Sequence, residues 1–77
     1  MSDDADLLRA LEAQAEAAYD AMYDADSPNA AGWLYSDAKE YFYDAIGVAR
    51  RLGAEDDARR LEARLAHVRA VYNSQFI

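Results

Sequence analysis

The sequence predicts an all-α fold: an antiparallel up-down-up bundle of three helices. Three observations predict it. Alanine, leucine, glutamate and arginine dominate the chain, and all are good helix formers. The β-branched residues that strands favour are few: Val48, Val68, Val71, Ile46 and Ile77, with no threonine. Three glycines and one proline allow few breaks, and those fall at residues 24–29 and 52–55.

Helix 1 is expected over about residues 3–23, with Ser2 as its cap. Leu8, Leu11, Ala15, Ala18 and Met22 follow one another at steps of three and four and so share a face, flanked by Leu7, Tyr19 and Tyr23. Helix 2 is expected over about residues 30–52. Its start has two candidates: Ser27 capping a helix that opens on Pro28, and Ser36 capping Asp37 to Lys39, with Gly32 weakening the stretch between. Its face is Ala38, Phe42, Ala45, Ala49 and Leu52, widened by Tyr41, Ile46 and Val48. Gly53 reads as the residue just past the helix end, where a left-handed backbone is wanted. Helix 3 is expected over about residues 54–73, with Glu55, Asp56 and Asp57 facing the positive end of its dipole. Ala54, Ala58, Leu61, Leu65, Val68 and Tyr72 form its stripe, and residues 74–77 are read as a short tail. Short connections make successive helices antiparallel neighbours in one domain spanning residues 1–77.

The 77 residues are 53% hydrophobic, yet eighteen of them are alanine, so close helix approach matters more here than bulk. The absence of cysteine removes disulfides and thiolate metal sites and suits a reducing cytoplasm. No apolar run approaches the ~20 residues of a membrane span. The acidic start Met1-Ser2-Asp3-Asp4 is unlike a basic export signal, so a cytoplasmic protein is expected. A net charge of −7 opposes binding to nucleic acid or to anionic membranes and permits basic partners.

The middle of the chain resembles a tetratricopeptide repeat. Ala38-x-x-x-Phe42-x-x-Ala45 is similar to that family's second-helix signature. Ile46-x-x-Ala49-x-x-Leu52-Gly53 resembles the close of a longer repeat, and Ala58 with Leu61 the start of the next. The likeness covers about residues 38–65, and Arg50 stands where the family's helix-ending proline would fall. It implies a helical scaffold that binds a peptide or protein.

The net charge is concentrated in one half. Residues 1–37 hold nine acidic groups against Arg9 alone, and the rest of the chain is close to neutral. Glu12, Glu16, Asp20 and Asp24 recur every four residues, a carboxylate ribbon along helix 1. Like charges at this spacing repel. The ribbon has three readings: a surface for a basic partner, a mimic of nucleic-acid phosphates, or a solvated face neutralised by arginines of the other helices. Arg50, Arg51, Arg59, Arg60, Arg64 and Arg69 are available for the last of these.

Divalent-metal binding is a further alternative, since hard cations take oxygen ligands. The ribbon does not converge, however, and the lone His67 lacks the Glu-x-x-His partner of carboxylate di-iron bundles. Ser2, Ser27 and Ser36 look like caps, and no glycine-rich phosphate loop exists. No catalytic residue, cofactor or metal is therefore assigned.

Aromatic residues give the clearest partner signal. Tyr23, Trp33 and Tyr35 join Tyr19, Tyr72 and Phe76 near one pole of such a bundle. Tyr41 and Tyr43 point about 200° apart on a helix, so both cannot face one core. The expected function is a small non-enzymatic module that binds a protein partner or a second copy of itself. Its candidate contact residues are Glu12, Glu16, Asp20, Asp24, Tyr23, Trp33, Tyr35, Tyr41 and Tyr43.

Overall fold

In a computed structural model, which describes residues 3–76, the chain forms three helices: α1 Asp3–Met22, α2 Pro28–Arg51 and α3 Glu55–Gln75. The expected all-α three-helix bundle is what forms. The Cα envelope measures 41 × 19 × 13 Å, with α2 packed against both α1 and α3.

Each break has a local cause. Ser27, in extended conformation, accepts a hydrogen bond from the Ala30 backbone N–H at 3.1 Å, and Pro28 opens the helix. This settles the start of α2: it lies at Pro28, two residues before the expected boundary, and Ser36 lies inside the helix. At the other end the Gly53 N–H donates to the Arg50 carbonyl and the Ala54 N–H to the Ala49 carbonyl, 3.0 and 2.8 Å long. That paired motif needs a left-handed residue between them, and Gly53 supplies it at φ 72°. Ser2, the expected cap of α1, lies outside the described residues.

Two boundaries differ from expectation. Leu52, placed on the core stripe, is 38% exposed. It caps α2 with helical backbone angles, φ −76° and ψ −9°, so it keeps the direction of the stripe but stands exposed at the end of the helix. The expected tail does not begin at Ser74. α3 continues through Gln75, and the Phe76 N–H still reaches the Tyr72 carbonyl at 2.9 Å. The polar run Asn73-Ser74-Gln75 contains no glycine or proline to stop it.

The core follows the predicted stripes. Phe42, Ala38, Ala45, Ala49, Ala15, Leu61 and Val68 are all fully buried, and Met22 nearly so. Burying one large apolar side chain stabilises by roughly 1.5–3 kcal/mol. The alanines let helix axes close up, and Phe42, Met22 and Leu61 fill the space between them. At Gly32 a Cβ would sit 3.3 Å from the Tyr72 hydroxyl, so glycine there admits that ring.

α1 and α3 run parallel, and their backbones stay farther apart than either does from α2. Their partners keep a constant sequence offset of 48, as parallel elements in register must: Glu12 with Arg60, Glu16 with Arg64. No helix among the described residues is long and apolar enough to cross a membrane.

Candidate interaction surface

The gap between α1 and α3 is closed by side chains rather than by backbone packing. Arg60 grips Glu12 through both guanidinium nitrogens, at 2.5 and 3.0 Å, and also touches Asp57 at 3.3 Å. One turn on, Arg64 grips Glu16 at 2.8 and 2.9 Å and lies over the Tyr19 ring, 5.1 Å from its centre. Forked pairs of this kind are the stronger ion pairs. The Glu12 and Arg60 side chains are 29% and 51% exposed, which limits the pair to about 1 kcal/mol or less.

Hydrogen bonding from Arg60 holds the Glu12 carboxyl below its usual range, against the opposing effect of partial burial. The same pairing raises Arg60, and Glu16 raises Arg64. The sign of the pH effect follows from Glu12. A carboxyl with a depressed folded pKa adds stability above its unfolded value and loses it as pH falls through the folded one. Thermal melts of Glu12→Gln should therefore show a shallower loss of stability on acidification than the parent. Identical slopes would mean that the Glu12–Arg60 pair contributes nothing in solution.

Aromatic rings close the pole where α1 and α3 end and α2 begins. Tyr35 stacks on Tyr72 at 4.0 Å and Tyr72 on Phe76 at 5.9 Å. Phe76 meets the edge of Tyr23 at 5.4 Å, and Tyr23 meets Tyr19 at 5.6 Å, with their hydroxyls 3.0 Å apart. That hydroxyl contact and burial push the Tyr19 pKa up. Edge-to-face and offset contacts contribute beyond area alone.

The expected contact residues thus separate into two groups. Glu12 and Glu16 are held by Arg60 and Arg64 inside the molecule. Tyr35 is stacked on Tyr72 and carries Lys39 over its other side, and Tyr41 is half-buried against the core. The second group is open. Asp20 and Asp24 are exposed and have no ion pair among the described residues. Trp33 is 73% exposed, and Tyr23 and Tyr43 are each 51% exposed. Tyr43 also receives a hydrogen bond from Arg69, whose guanidinium lies over its ring. Of the tyrosine pair on opposite sides of α2, Tyr43 is the outward one.

Two exposed apolar residues lie outside the expected set: Leu7 at 42% and Leu52 at 38%. Leu7, Leu11 and Tyr43 line a groove of about 360 Å³ between α1 and α2, floored by Gly47 and Val48. Gly47 carried the overlooked signal, as a glycine in the interior of a long helical pattern. A second groove, of about 230 Å³ between α2 and α3, has Ile46 and Leu65 beside the Arg50–Glu62 pair. Among the described residues no three His, Asp or Glu side chains come together as a metal site. Every buried side-chain polar atom among them has a partner.

No protein-family model, no curated protein and no solved structure matches this chain.

Proposed function

We propose that the chain is a non-enzymatic interaction module of the cytoplasm, built to bind a protein partner or a second copy of itself. The observation that carries this reading is the exposure of Trp33, Tyr43, Tyr23, Leu7 and Leu52 on a bundle whose other large apolar groups, among the described residues, are wholly or partly buried. Aromatic residues with large exposed area are the typical anchors of protein interfaces. The polar alternatives draw less support. A phosphate mimic needs its carboxylates free, and half of the α1 ribbon is engaged by arginines of the same molecule. The similarity of the α2 stretch to a tetratricopeptide repeat points the same way as the aromatic surface, toward a helical scaffold for proteins.

Site-specific photo-cross-linking in the cell of origin tests the reading. A photoreactive residue at Trp33 or at Leu7 should give discrete protein adducts, and the same residue at exposed Arg59 should give none. Absence of adducts at both apolar positions would contradict it.

A further inference from the structure

The middle of α2 carries a glycine that the fold itself does not use. Gly47 is helical, and a Cβ built on it meets nothing within 4 Å. Glycine inside a helix lowers stability relative to alanine, because the unfolded chain has more freedom to lose. At Gly32 the close Tyr72 hydroxyl explains the residue; at Gly47 no neighbour among the described residues does. What Gly47 provides is a notch in the outer surface of α2, opening into the groove lined by Leu7, Leu11 and Tyr43.

Two side chains at that notch carry opposite charges, Asp44 and Arg51. Neither has an ion pair among the described residues, although Arg50, Arg60 and Arg64 all do. Asp44 precedes Gly47 by three residues and Arg51 follows it by four, so the two bracket the notch on one face, one turn to either side. Such a pattern is its own complement. A second copy laid antiparallel across the notch, about a two-fold axis beside Gly47, sets each Asp44 opposite the other copy's Arg51.

We propose that the face of α2 centred on Gly47 is where two copies of this chain associate, with Asp44 of each copy paired to Arg51 of the other. The proposal rests on the interaction-module reading and names its partner. What favours a second copy as the occupant is that the order of Asp44 and Arg51 about the notch is self-complementary.

Sedimentation equilibrium of the full chain over a concentration series tests it. The parent should dimerise. Asp44→Arg alone and Arg51→Asp alone should each weaken the dimer by about tenfold, since every symmetric pair turns repulsive, and the two changes together should restore it. Gly47→Leu should fill the notch and abolish association while circular dichroism and melting temperature show the helices intact. A parent that stays monomeric, single charge changes without effect, a double change that fails to restore, or a Gly47→Leu variant that still dimerises would each overturn the proposal. A monomeric parent that still gives a discrete adduct with a different chain, in the cross-linking experiment above, overturns only this interface. A monomer with no adduct overturns the module reading as well.

Discussion

Phe42→Ala is expected to cost about 3–5 kcal/mol of stability, the range for removing a large aromatic side chain from a packed core. Phe42 is the largest fully buried side chain and sits among alanines of α2 and α1, with Met22 and Leu61 nearby in the same cluster. Alanine neighbours have little side chain with which to close a cavity, which places the effect toward the upper end of that range. Small single domains have only ~5–15 kcal/mol in total, and one of this size belongs near the bottom. Chemical denaturation followed by circular dichroism should show a largely unfolded variant, or a midpoint lowered by that amount. A near-neutral result would mean that α2 presents a different face to the core.

Leu61→Ala should cost about 2–5 kcal/mol, and its effect should fall first on α3. α3 contributes four buried residues to the core, Ala58, Leu61, Leu65 and Val68. Leu61 is wholly buried between them and lies beside Arg60 and Glu62, which carry ion pairs to α1 and α2. Loss of its packing loosens the helix that positions Arg60 and Glu62, so hydrogen exchange should quicken along α3 before α1 and α2. Leu52→Ala, at a site 38% exposed, should change stability by no more than about 0.5 kcal/mol and serves as the control. Uniform acceleration across all three helices would show that α3 is not the weakly held element.

The fold was legible because its punctuation is local. Ser27-Pro28 and Gly53 act through their own backbone geometry, and the stripes at steps of three and four identify faces without reference to neighbours. The ends of α2 and α3 were harder. Leu52 continues the apolar spacing but stays exposed at the end of α2, and spacing does not show where the neighbouring helices stop covering a face. Asn73 to Gln75 continue α3 because nothing stops it and Phe76 finds aromatic neighbours to pack on.

The candidate surface was legible only in part, and for a physical reason. The sequence shows that Glu12 and Glu16 share the spacing of Arg60 and Arg64; only the parallel register of α1 and α3 shows that they meet. Tyr41 and Tyr43 had to point to opposite sides, but which one faced outward depended on where α1 and α3 lie around α2. Nothing in the sequence marks Asp44, and Arg51 is one of six arginines available to the ribbon; only the structure shows both without an ion pair, among the described residues, beside an unfilled notch. A surface formed by groups that lack internal partners cannot be read from the groups alone.

The central claim is that the outer face of α2 around Gly47 is the contact surface. Amide NMR spectra recorded across a dilution series test it most directly. Shifts should move with concentration at Leu7, Tyr43, Asp44, Gly47 and Arg51, while Glu12, Glu16, Arg60 and Arg64 in the α1–α3 seam stay fixed. Shifts that move in the seam, or a spectrum unchanged at every concentration, would contradict the account.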